Sequence, residues 1–217
     1  MKMTHTIPIT PWRASSTWSI RFSTALPLVF GLTLFGIGEG LLVQSHLGAT
    51  PWTVFAQGLC KHSPLSIGWA TFCISTAVLL LWIPLKERPG FGTLANIAII
   101  ALMLDLTTLL VPAPHLLVWR FVFIVLAIAV IGFGTSLYIT TGLGPGPRDG
   151  LMTSLHRRTG VSVVYVRLTI EGTVLVIGYL LGGTVGIGTA AFALLIGFSI
   201  GLNLQLLSKL IGRYHHG

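Results

Sequence analysis

Arg148 and Asp149 stand side by side in Gly142-Leu143-Gly144-Pro145-Gly146-Pro147-Arg148-Asp149-Gly150, which reads as the start of a helix. An arginine there draws an anion, and the adjacent carboxylate either orients that anion or complements the positive helix end. The glycines and prolines ahead leave first-turn N–H groups free to face an anionic group. Gly48-Ala49-Thr50-Pro51-Trp52-Thr53 repeats the frame earlier in the chain. Gly144, Gly146, Arg148 and Asp149, with Gly48, Thr50 and Thr53, therefore form a candidate substrate-binding set. A second set lies inside apolar runs: Glu39, Asp105, Glu171 and Arg167. A charge at mid-bilayer costs roughly 2.5–3.5 kcal/mol, so each must face protein or water. Arg167 and Glu171 are four apart and can pair on one helix face. Glu39, between Gly38 and Gly40, is either a proton or cation site or a neutral hydrogen-bonded acid. Asp105 has hydroxyl partners close by in Thr107 and Thr108. The seven histidines and two cysteines make no metal constellation, and no serine, cysteine or carboxylate set resembles a hydrolytic site. Neither a metal, a cofactor nor an enzymatic activity is expected.

The elements that carry these residues are membrane spans. The chain has 217 residues, is 53% hydrophobic and has a mean hydropathy of +0.88. Only 8% of it is charged, where a soluble domain has roughly 25%. Thirteen Lys and Arg against five acids would suggest nucleic acid in a soluble protein; here they cluster in loops, as cytoplasmic anchors do. Apolar runs at 25–45, 65–84, 93–111, 120–140, 164–182 and 188–208 each approach the ~20 residues a bilayer requires. The first follows a basic segment and is longer than a cleavable signal core, so it reads as a retained span.

Residues 36–105 align without a gap onto 132–201, with seventeen identities that include Gly36, Gly38, Leu47, Gly48, Pro51, Gly90, Gly92 and Thr93. A repeat with three spans per copy places the copies upside down relative to each other. The charges agree. Lys86 and Arg88 lie in one loop while its counterpart 182–189 carries none; Arg148, Arg157 and Arg158 outweigh Lys61 in the other pair. With Lys2, Arg13, Arg21, Lys209 and Arg213 on the same side, both termini are expected in the cytoplasm. The organisation is a segment 1–24, repeats 25–111 and 112–208, and a tail 209–217. Each copy also carries a short helix, from Pro51 to His62 and from Pro147 to Gly160, too short to span. Such a helix either lies at the interface or dips in and points its N-terminus at a central cavity.

The stretches Gly48–Trp52, Gly142–Met152 and Gly182–Thr189 resemble the YczE/YitT-type bacterial membrane proteins, actinobacterial members above all. The resemblance runs from about residue 25 to 208 and implies a small multi-pass protein of the bacterial plasma membrane. The pattern has an acid after the Pro-Trp pair, whereas Thr53 stands here and Asp149 keeps the acid in the second copy. The sequence thus leads to an all-α membrane protein, six spans in two inverted three-span repeats, each with a Gly/Pro-led short helix. Its expected function is transport of a small solute through the interface between halves, with the bilayer and that solute as partners. The alternatives are a scaffold or accessory subunit, or the substrate-binding subunit of a larger importer; a homo-oligomer is compatible with each.

Overall fold

The computed structural model describes residues 8–214, and side chains as far as Ile211. Lys2 and the side chain of Arg213, both counted for orientation, lie outside these limits. The described residues form eight helices: α1 (Phe22–Gln44), α2 (Pro51–Lys61), α3 (Ile67–Leu80), α4 (Phe91–Leu110), α5 (Leu117–Thr140), α6 (Pro147–Thr159), α7 (Val163–Leu180) and α8 (Ile187–Tyr214). Five of them, α1, α4, α5, α7 and α8, are long and apolar enough to cross a bilayer. α3 falls short of the span expected over 65–84. Its 14 residues rise only ~21 Å at ~1.5 Å per residue, against a ~30 Å hydrocarbon core. After Leu80 the chain continues as turns to Lys86, whose φ is +52°. Pro84 cannot supply a helical N–H there, and Trp82 turns inward to donate from Nε1 to the Pro147 carbonyl at 3.0 Å.

The short helices form where their end signals lie. Thr50 caps α2 by accepting from the Thr53 N–H at 3.3 Å, and Pro51 takes the first helical position. α6 begins at Pro147 with Asp149 in its first turn and His156, Arg157 and Arg158 in its last. Gly160, at φ +71°, closes it in the left-handed conformation.

Packing follows the repeat. α1 lies along α5, its own counterpart, and Gly31 and Gly134 each meet the other helix's backbone so closely that a methyl group would overlap it. α1 packs on α4 as α5 packs on α8; α2 packs on α7 as α3 packs on α6. Hydrogen bonds between the copies repeat as well. Gly92 N–H donates to the Leu143 carbonyl at 2.8 Å, and Gly188 N–H donates to the Leu47 carbonyl at 2.7 Å. Gly48 and Gly144 share φ values of +116° and +118°, each pressed on the other copy's Gly-x-Gly-Thr turn. Only glycine adopts that backbone freely, and no side chain fits the space. Where size changes, it changes in a complementary way: Trp82 covers Gly150, while Val54 and Phe55 cover Gly178.

The close pairing of α3 with α4 has no comparable counterpart. α3 and α4 are fastened by Asp105, which accepts from the Gly68 N–H at 2.6 Å and from the Ser66 hydroxyl. Adding 96 turns these residues into Gly201, Val164 and Ser162, which cannot make the link. α7 and α8 accordingly stand apart, with open space around Gly172 and Gly197.

Candidate functional site

α2 and α6 both begin at a central cavity of about 310 Å³, walled by residues of all eight helices. Its lining obeys the repeat. Phe35 and Ile131, Glu39 and Thr135, Trp52 and Arg148, Thr71 and Arg167, Ser75 and Glu171, and Ile100 and Ile196 are pairs 96 apart, and every one of them faces it.

Glu39 is the structural centre of the first half. It is 1% exposed, and its carboxylate accepts from the Thr53 hydroxyl at 2.8 Å with the Thr50 hydroxyl at 3.2 Å. Arg148, from the other copy, reaches within 3.6 Å of the same carboxylate and lays its guanidinium over the Trp52 ring, 5.1 Å from the centroid. A buried carboxylate at the start of α2 complements that helix end and is itself held by hydroxyls and a cation. The bond to Arg148 ties α1 to α6 across the copies.

The second half is built differently. Its acid is Asp149, and the hydroxyl of Tyr138, itself 2% exposed, donates to that carboxylate at 2.9 Å. At the position matching Glu39 stands Thr135. Acid and threonine have thus changed places between the copies: Glu39 with Thr53 in one, Thr135 with Asp149 in the other. Arg167 and Glu171 form the expected i,i+4 pair at 3.0 Å and also face the cavity.

Four buried side-chain polar atoms have no hydrogen-bond partner among the described residues: Trp52 Nε1, Thr71 Oγ1, Thr135 Oγ1 and Ser154 Oγ. Three of the four belong to residues that line the cavity. An unsatisfied buried polar group costs about 1–3 kcal/mol, so their gathering at one place marks where a polar guest or water belongs.

The sequence-derived residues separate accordingly. Thr50, Gly146, Arg148, Asp149, Glu39, Arg167 and Glu171 come together around the cavity. Thr53 lies behind it and holds Glu39. Gly48 and Gly144 serve the seam between copies rather than the cavity wall. Asp105 is away from the centre, fastening α3 to α4 beside a separate surface hollow. Trp52, Thr71, Ser75, Asn96, Thr135 and Tyr138 were not among the residues singled out. For Thr71, Ser75 and Thr135 a usable signal existed: positions 39/135, 71/167 and 75/171 are polar in both copies although the surrounding runs are apolar.

An all-helical membrane protein with a central cavity, largely apolar but faced by charged and polar side chains, at the seam of a duplicated chain is the class these features define. The chain matches the family of unknown function DUF6198 over residues 22–204, and it belongs to that family. It is 46% identical to an uncharacterized protein of Haemophilus influenzae, over 96% of each chain. It is 31% identical to the uncharacterized membrane protein YczE of Bacillus subtilis, over 90% of this chain and 91% of the relative. The uncharacterized protein YyaS of the same bacterium is 25% identical over 73% of this chain and 81% of its own. No solved structure matches.

Proposed function

We propose that this protein moves a small polar solute across the bacterial plasma membrane through the cavity between its two copies. The observation that carries the reading is the cavity itself: central, lined by matched positions of both copies, and faced by buried polar groups that lack partners. A protein that served only as a scaffold gains nothing from three such groups, each a cost to its stability. No set of lining residues suggests bond-making chemistry, so transport is preferred to catalysis.

In this reading α1, α3, α4, α5, α7 and α8 are six membrane segments in two inverted sets of three, with α3 completed by the turns that follow it. α2 and α6 dip in from opposite faces and meet at the cavity. The reciprocal helix pairings and the opposite charge biases of the loops support that arrangement, with both termini cytoplasmic. The Asp105 fastening then lies toward the outside, and the gap between α7 and α8 lies at the matching place toward the cytoplasm. Such inequality between inverted halves is what an inward-open state of an alternating-access protein requires. The same gap on one face also suits the substrate-binding subunit of a larger importer, which needs a partner to complete the cycle.

Hydroxyl-radical footprinting of the purified protein tests the cavity. Met152 and Trp52 are 4% and 6% exposed but line it, whereas Trp82, 3% exposed, does not. Water in the cavity predicts oxidation of Met152 and Trp52 with Trp82 protected. Equal protection of all three means a dry packed centre, and with it the scaffold.

A further inference from the structure

The lining of the cavity specifies its guest more narrowly than polarity alone. Two arginines, Arg148 and Arg167, face it with three carboxylates, Glu39, Asp149 and Glu171. Arg148 is taken by Glu39 and Arg167 by Glu171, which leaves Asp149 with the Tyr138 hydroxyl and no ion pair of its own among the described residues. A carboxylate in that state is completed by a cationic donor. Trp52 Nε1, by contrast, can only donate, and it lacks an acceptor. The hydroxyls of Thr71 and Thr135, each at least nine-tenths buried, are also without partners.

The first copy shows what the second lacks. At the start of α2 the carboxylate of Glu39 is received by hydroxyls of Thr50 and Thr53. The start of α6 has no such internal anion opposite it, because Thr135 stands where Glu39 would be; its cap, Gly146, has no side chain to offer. Thr135 lies one turn before Tyr138 on the same face of α5.

We propose that the cavity binds a small zwitterion of the amino-acid type. Its ammonium is received by Asp149 and the Tyr138 oxygen. Its carboxylate takes the place at α6 that Glu39 fills at α2, drawing on the Thr135 hydroxyl, the first-turn N–H groups of α6 and Trp52 Nε1. A lone anion would add to the excess of negative charge and leave Asp149 unanswered. A lone cation would leave Trp52 Nε1 and the α6 start unanswered, and a neutral polar solute would leave Asp149 without a counter-charge. About 310 Å³ is at the small end of ligand sites, which suits a molecule of this size.

This inference rests on the central cavity being a solute site, yet it is tested by binding alone, with no transport needed. Purified wild-type protein is screened by thermal shift against the proteinogenic amino acids, and the best is then measured by calorimetry beside its amide and its N-acetyl derivative. At least one amino acid should stabilise the protein. Its amide, which loses the carboxylate, and its N-acetyl form, which loses the ammonium, should each bind at least about tenfold more weakly. Asp149→Asn should weaken binding of the zwitterion by a similar factor while binding of the N-acetyl derivative and the zwitterion become alike. Stabilisation by none of the amino acids overturns the proposal. An N-acetyl derivative that binds as well as its parent makes this a site for anions, and an amide that does so makes it a site for cations; either result overturns the proposal too. The comparison of derivatives on the wild type stands even if the variant does not fold. A hydrated cavity by footprinting with no amino acid bound would remove the zwitterion and leave the transport reading intact.

Discussion

Removing Arg148 should destabilise this protein through Glu39, and removing both should restore most of the loss. Glu39 is 1% exposed and Arg148 17%, so neither charge is well solvated. Breaking a buried pair from one side costs about 3–5 kcal/mol, chiefly because the remaining charge is left uncompensated. The 3.6 Å separation and the hydroxyls of Thr50 and Thr53 place this pair at the low end, so Arg148→Met should cost about 3 kcal/mol. At ~2–4 °C per kcal/mol for a chain of this size, its unfolding midpoint should drop about 6–12 °C. Glu39→Gln keeps a hydrogen-bonding side chain at the start of α2 and leaves Arg148 able to turn into the cavity, so about 1 kcal/mol is expected. The double variant Glu39→Gln/Arg148→Met has no stranded charge and should fall within about 1 kcal/mol of wild type. A thermal-unfolding double-mutant cycle in detergent measures all three. Effects of the two single changes that add within about 0.5 kcal/mol would refute the coupling, and with it the tie between α1 and α6.

Asp105→Ala removes both bonds that fasten α3 to α4; spin labels at Trp69 and Leu102 should then show a broader, longer distance distribution, with little change in fold. Thr135→Val replaces a buried hydroxyl that has no partner among the described residues, so stability should be unchanged or rise while solute binding falls. Gly144→Ala meets a φ of +118° and the Thr93 hydroxyl, so a loss of more than about 1 kcal/mol is expected in unfolding measurements. A cysteine at Thr184 should react with impermeant reagent in intact cells and one at Arg88 only after permeabilisation; the reverse pattern would invert the topology.

What was legible in the sequence was the part governed by periodicity and punctuation. The offset of 96 anticipated the reciprocal pairings, because the glycines it preserves are those where backbones meet. Helix ends were legible at α6, where Pro147, Asp149, the basic last turn and Gly160 act locally. The end of α3 was not, since hydropathy continues past Leu80 to Pro84 while the helix gives way to turns where Trp82 anchors on Pro147. Side chains met across the copies posed the harder problem. Glu39 and Arg148 are distant in sequence, and no single-copy pattern joins them; likewise Tyr138 and Asp149 are joined by the reversal of chain between α5 and α6. Asp105 and Glu39 look alike as lone acids in apolar runs. Only their neighbours in space make one a helix clamp and the other a cavity wall.

The account stands on access to one cavity from both sides of the membrane. Ser75 faces that cavity and is 4% exposed, so a cysteine there reports on it alone once Cys60 and Cys73 are replaced. An impermeant thiol reagent should modify Ser75→Cys both in intact cells and in inside-out vesicles, the latter faster because the gap between α7 and α8 lies inward. Modification from one side only would contradict transport by this chain alone, and modification from neither would make the centre a packed seam.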